Sequence, residues 1–183
     1  PHTAAKNYFP LSTLPGSDNL LPKSEPPVYV VQGNVRKRVW SILDYFFTDP
    51  STSDLDFELR ILGKEVKWLK NNAWSSDSRV KIHSNLHSER YHDLFRDAYC
   101  MLHLVHPHNK KCKHYYTDTM SSSVNYALAY DLRNMLDDKL QASYNLKDAF
   151  IYRLGTAGKD FISVFKQSIK DFDDTVTHSN CTS

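Results

Sequence analysis

The stretch HPHNKKCKHYY, residues 106–116, concentrates side chains that bind metal ions or phosphates. It contains three histidines, three lysines, one cysteine and two tyrosines, with no acidic residue to balance them. Imidazole and thiolate groups are zinc ligands, whereas ammonium groups and aromatic rings hold the phosphates and bases of nucleic acid. The stretch therefore supports three interpretations: a metal site, a nucleic-acid surface or a solvated loop.

The zinc interpretation needs four nitrogen or sulfur ligands. Within and just before the stretch, two pairs of such side chains are available, namely Cys100 with His103 and Cys112 with His114. The first pair has helical i, i+3 spacing, but the second is separated by a single residue, which is shorter than the usual two to five or so. Cys100 also lies close to the apolar face of a predicted helix, where a buried free cysteine is common. We therefore rank zinc, the one cofactor that the sequence suggests, below a solvated loop.

The nucleic-acid interpretation uses two basic clusters. Lysine and arginine neutralise phosphates, and a tyrosine ring can stack on a base. The clusters are Lys110, Lys111 and Lys113 with Tyr115 and Tyr116 in the loop, and Arg36, Lys37 and Arg38 near a helix start. This interpretation requires that both clusters lie on one face of the folded chain.

Catalytic motifs are incomplete in this sequence. The stretch HSERYHD, residues 87–93, lacks the glutamate directly after the first histidine that a zinc metalloprotease helix requires. The stretch RLGTAGKD, residues 153–160, lacks the glycine spacing of a phosphate-binding loop. We therefore expect a function that is not enzymatic.

Composition limits the class of protein. The chain has 183 residues and a formal net charge of +2, which is too weak to indicate nucleic acid from charge alone. Its three cysteines do not form a disulfide framework, which favours a reducing compartment, the nucleus or the cytoplasm. No apolar run approaches the roughly 18 to 20 residues of a membrane-spanning helix, so we expect no membrane partner.

The pattern of apolar residues predicts a mainly α fold. Residues 1–33 form a predicted Pro-rich extended arm, 34–174 a helical domain and 175–183 a flexible tail. Helical spacing of apolar residues predicts an irregular bundle of about five helices, drawn from 34–50, 53–70, 88–105, 121–140 and the two halves of 146–174. The alternative is an α+β domain in which residues 55–69 form a hairpin, because their apolar residues also alternate. Residues 28–33 and 80–82 are candidates for short strands.

Binding of a protein partner is the leading functional prediction. Aromatic residues make up 13% of the chain, and the arm is too apolar for a solvated linker. Tyr8 and Phe9 in the arm and Trp74 in a polar loop are the candidate interface residues. We therefore expect an interaction module of a larger intracellular protein, with nucleic-acid binding as the first alternative and a small zinc-stabilised domain as the second.

Overall fold

The computed structural model describes residues 21–64, 66–117, 119–156 and 158–180, with only the backbone for 177–180. A parallel sheet of six strands, in the order β3-β2-β1-β4-β5-β6, forms its centre. The strands are β1 (Val28–Gln32), β2 (Glu58–Gly63), β3 (Val80–Ser84), β4 (Cys100–Leu102), β5 (Arg133–Asp137) and β6 (Phe150–Tyr152).

Helices and short 3-10 segments connect the strands. The α-helices are α1 (Ser41–Thr48), α2 (Ser88–Arg96), α3 (Lys113–Thr117), α4 (Ser122–Ala129), α5 (Asp138–Tyr144) and α6 (Lys159–Asn180). The 3-10 helices are Val35–Lys37, Pro50–Thr52, Val66–Asn71 and Ala73–Ser76. None of the helices in the described ranges is long and apolar enough to cross a membrane.

Strand β1 shows how the sheet is buried on both faces. All five of its residues are buried, as expected of a central strand in a parallel sheet that helices cover on both sides. Tyr29 and Val31 join one core cluster, which includes aromatic side chains of α1 and α6. Val28 and Val30 join a second cluster, which includes Phe95 of α2 and residues of α4. The fold is therefore a doubly wound α/β sheet.

The pairing of the strands is uneven at the centre of the sheet. Strand β1 pairs with β2 through all five of its residues. It pairs with β4 only at Tyr29 with Cys100 and at Val30 with Met101. We call this short pairing of β1 with β4 the seam. Past it, the segment after β1 contacts the segment after β4, because Val39 N–H donates to Leu104 O at 2.8 Å. The two loops that leave the centre of the sheet are thus held together.

The predicted helical bundle is wrong, because six parallel strands replace much of the predicted helix. The α+β alternative comes closer, but residues 58–63 pair in parallel with β1 and β3 rather than in a hairpin. Residues 28–33 were predicted both as the end of the arm and as a candidate short strand; the strand is confirmed as β1, Val28–Gln32, in the interior of the sheet. Residues up to 180, which we assigned partly to a tail, continue α6.

The errors arise where strands are buried on both faces. The predicted helix 88–105 ends as α2 at Arg96, and residues 100–102 form β4. The predicted helix 121–140 is divided into α4, β5 and the first turn of α5. A short apolar run that is buried on all sides has no periodicity that separates helix from strand. The helix predicted in the second half of 146–174 is confirmed as part of α6. The short strand predicted at residues 80–82 is confirmed as part of β3.

Candidate anion-binding crevice

The strand order reverses between the neighbouring strands β1 and β4. After β1 the chain continues to β2 on one side of the sheet, whereas after β4 it continues to β5 on the other side. In open α/β sheets such a switch point leaves a crevice outside the carboxyl ends of the strands, where ligands bind. Here the segment 33–40 follows β1 and the segment 103–121 follows β4. Residues on these two segments are therefore the first place to look for binding chemistry.

Two glycines allow the loops at the crevice to approach closely. Gly33 has φ +105°, and a Cβ atom there would lie 3.0 Å from Arg38 Nη2. A Cβ atom on Gly63 would lie 2.7 Å from Val35 Cγ1 and 2.9 Å from Gly33 O. Larger residues at these positions would push the loop after β1 away from β2. The glycines therefore place the Arg38 guanidinium beneath the turn that ends β1.

The Arg38 guanidinium is a buried cation with unused hydrogen-bond donors. Its Nη2 atom donates to Gln32 O, but Nε and Nη1 are shielded from solvent and have no hydrogen-bond partner. The residue as a whole is half-buried. A buried donor without a partner costs about 1–3 kcal/mol, and a charged one costs more. A buried donor without a partner is rare in folded proteins and calls for a specific explanation, of which a bound anion or water is one.

Among the described residues, the groups that act most strongly on the Arg38 charge are not carboxylates. Burial lowers the pKa of the guanidinium, and the groups that act against this are the phenols of Tyr115, Tyr152 and Tyr91 and the thiol of Cys112. None of these groups is a carboxylate. An arginine side chain nevertheless keeps its proton in proteins. The crevice therefore holds a positive charge that an anion can neutralise.

A cavity of about 540 Å³ opens beside the turn at Gly33. The described residues that line it are Gly33, Asn34, Arg36, Leu62, Gly63, Lys64, His83, Asn85, Leu86 and Tyr91. They combine an apolar wall with amide and basic groups, and none of them is acidic. Burial, followed by the charge of Arg60, lowers the pKa of His83, so its imidazole is biased toward the neutral form. Ligand sites are commonly concave, of this size and mostly apolar with a few polar groups.

The two predicted basic clusters lie together in the structure. Cys112 Sγ donates to Lys37 O at 3.2 Å, and Asn109 Nδ2 donates to the same oxygen at 3.4 Å. Lys37 Nζ lies 5.4 Å from the centre of the Tyr115 ring. The loop 106–116 is therefore fastened to the segment that carries Arg38. Tyr116 has a different role, because its hydroxyl donates to Asp137 Oδ2 at 2.8 Å.

The four predicted zinc ligands are not brought together. His103 uses both ring nitrogens, with Nδ1 at 3.0 Å from Ser123 Oγ and Nε2 at 2.8 Å from Asn134 Oδ1. Burial lowers its pKa to about 4. The buried thiol of Cys100 has a raised pKa because of burial. Within the described ranges, no three His, Cys, Asp or Glu side chains form a group that could hold a metal ion. His114 instead packs against the ring of Tyr115.

The predicted protein-interface residues have separate positions. Trp74 is buried in the main core, stacked on Trp40 with ring centres 5.6 Å apart. Its indole N–H donates to Asp44 Oδ1 at 2.8 Å. Trp74 therefore packs inside the domain, which leaves little of its surface for a partner. Tyr8 and Phe9 lie outside the described residues.

The sequence contained a signal for the crevice that the helical prediction concealed. The run VYVVQGNVRKR, residues 28–38, reads as a buried strand, then a glycine, then a basic turn. A glycine directly after the first strand of an α/β sheet is typical of a phosphate-binding turn. We grouped Arg38 with two other basic residues as an exposed cluster, and the burial of its guanidinium is visible only in the structure.

Comparison of the sequence with family models gives no match, and comparison with curated proteins gives none either. A doubly wound sheet by itself hosts many unrelated functions. The chemistry of the crevice therefore carries the functional assignment.

Proposed function

We propose that this chain binds a phosphate-bearing small molecule of the nucleotide class at the carboxyl edge of its sheet. The observation that carries the proposal is the Arg38 guanidinium, which is buried at the switch point with Nε and Nη1 unpaired. A phosphate oxygen is an acceptor that arginine binds well, through charge-assisted hydrogen bonds. The position agrees with the general location of ligands in open α/β sheets.

The neighbouring cavity supplies space for the organic part of the ligand. Its volume of about 540 Å³ lies within the range of small-molecule sites. Leu62, Leu86 and Tyr91 offer apolar surface for a ring, and Asn34 and Asn85 offer amide groups for hydrogen bonds. Lys64 adds a second positive charge at the end of β2. This combination suits a nucleoside that is attached to one or more phosphates.

Isothermal titration calorimetry with nucleoside mono- and diphosphates, and with inorganic pyrophosphate, tests the proposal. We expect at least one nucleotide to bind to the chain, and Arg38→Met to weaken that binding by tenfold or more, as expected for a lost charge-assisted bond of about 1.5–3 kcal/mol. Arg96→Ala is the control, because Arg96 does not line the cavity and pairs with Asp93 in α2. Equal affinity of Arg38→Met and the unchanged chain, or no binding at millimolar concentrations, would refute the proposal.

The protein-partner hypothesis stays a prediction. Tyr8 and Phe9 are its remaining candidate residues, since Trp74 is buried. An intracellular location, in the nucleus or the cytoplasm, also stays part of the proposal, because reduced cysteines and nucleotides are both common there. Pull-down with residues 1–27 deleted tests whether the arm contributes to a protein contact.

A further inference from the structure

Four lysines lie on the segments that follow β1 and β4. We call Lys37, Lys110, Lys111 and Lys113 the lysine rim. Lys110, Lys111 and Lys113 are exposed, and Lys37 is half-buried. None of the four takes part in the ion pairs found among the described residues. The three exposed lysines of the rim therefore present positive charge to solvent that no ion pair among the described residues neutralises.

Arg38 lies between the cavity and the rim. Gly33 lines the cavity, and a Cβ atom on it would lie 3.0 Å from Arg38 Nη2, so the guanidinium is adjacent to the cavity. On the other side in sequence, the carbonyl of Lys37 accepts hydrogen bonds from Cys112 Sγ and Asn109 Nδ2 of the loop. A phosphate on the Arg38 guanidinium would thus have the cavity on one side and the lysine rim on the other. A ligand with only one nucleotide would leave the rim unused.

The rim also carries an aromatic surface. The Tyr115 ring is half-buried and lies under Lys37 Nζ at 5.4 Å. The His114 ring packs against it, with ring centres 4.0 Å apart. Nonspecific binding of single strands combines such a stacking ring with a basic path for the backbone. Tyr116 contributes less, because its hydroxyl is held by Asp137.

From this arrangement we infer that the bound nucleotide is the terminal nucleotide of a single-stranded nucleic acid. The terminal phosphate binds Arg38, its nucleoside occupies the cavity, and the following phosphates run along the lysine rim past Tyr115. The strand is single because a base inside a cavity cannot remain paired. This inference rests on the proposed function, since the first nucleotide uses the same Arg38 site.

Fluorescence anisotropy with an eight-nucleotide oligothymidylate tests the inference, with strands that carry a phosphate at the 5′ end, at the 3′ end or at neither. We expect one phosphorylated strand to bind about tenfold more tightly than the unphosphorylated strand and than thymidine monophosphate. Lys110→Ala, Lys111→Ala and Lys113→Ala together should weaken strand binding about tenfold. They should also lower the salt slope by roughly 2, as expected for three single-strand phosphate contacts.

The control variant removes the same charge elsewhere, through Lys147→Ala, Lys166→Ala and Lys170→Ala. The rim variant should retain its affinity for thymidine monophosphate. The inference would be overturned if the oligonucleotide bound no more tightly than the mononucleotide, or if the rim variant behaved like the control. Either result would leave the proposed function intact. A blunt duplex that binds as tightly as the single strand would also overturn it. If the unchanged chain did not bind the mononucleotide, the proposed function itself would be contradicted.

Discussion

Replacing Arg38 with methionine should stabilise the isolated chain while removing its anion site. Two buried donors without partners, Nε and Nη1, cost about 1–3 kcal/mol each in the folded state. The variant loses the bond from Nη2 to Gln32 O, which is worth about 1.5–3 kcal/mol for a charged donor. Methionine has a similar length and fills an irregular site without a polar group. We therefore expect a net gain of about 1–2 kcal/mol in the free energy of unfolding.

Urea denaturation followed by tryptophan fluorescence measures this change. A gain of 1–2 kcal/mol corresponds to a rise of roughly 2–8 °C in the melting temperature for a chain of this size. A saturating nucleotide should reverse the order, because it stabilises only the chain that binds it, by about 2.7 kcal/mol at one hundred times its dissociation constant. Arg96→Ala should change neither result. An Arg38→Met variant that is destabilised by more than about 1 kcal/mol would show that the guanidinium supports the fold, and the reasoning from unpaired donors would be refuted.

Two further predictions concern the backbone turn and the buried histidine. Gly33→Ala should cost about 1–3 kcal/mol of stability and weaken nucleotide binding, because Gly33 has φ +105° and its Cβ would press on Arg38. Gly155→Ala is the control for backbone strain alone, because Gly155 has φ +90° and open space around it. Stability is measured by urea titration and nucleotide binding by calorimetry. Equal results for the two variants would contradict the prediction. The His103 pKa falls from 6.5 to about 4 on folding, so the unfolded chain takes up the proton first and stability falls as pH drops through this window. The loss of stability should reach roughly 3 kcal/mol near pH 4. In His103→Asn the free energy of unfolding should decline less steeply between pH 7 and pH 4. An unchanged slope would exclude His103 as the source of the pH dependence.

The sequence predicted α6 better than the strands in the middle of the sheet. The second half of the predicted helical segment 146–174 is amphipathic and forms part of α6. One face of such a helix meets the core and the other meets water, which gives a clear helical period. Strands β4 and β5 were assigned to helices, because Met101 and Met135 are buried from both sides and leave no alternation of apolar and polar residues. Those strands acquire their identity from neighbours that are distant along the chain.

The basic site stays a prediction. It required Arg36 to Arg38 and the loop 106–116 to lie on one face, and the structure shows that the loop is bonded to Lys37 O. The choice of Arg38 over its neighbours depends on which side chain turns beneath Gly33, and that follows from the path of the loop after β1. His103 was misjudged for a similar reason, since its partners Ser123 and Asn134 come from other elements.

The short seam between β1 and β4 has a mechanical consequence. The register joins these strands at two residue pairs, against three for β4 with β5 and five for β1 with β2. Backbone bonds from Tyr99 N–H to Val28 O and from Val39 N–H to Leu104 O, each 2.8 Å long, extend the connection at its two ends. The second of these bonds joins the loops that carry Arg38 and the lysine rim. An anion bound across the two loops would therefore reinforce a backbone connection that is already present, rather than close an open gap.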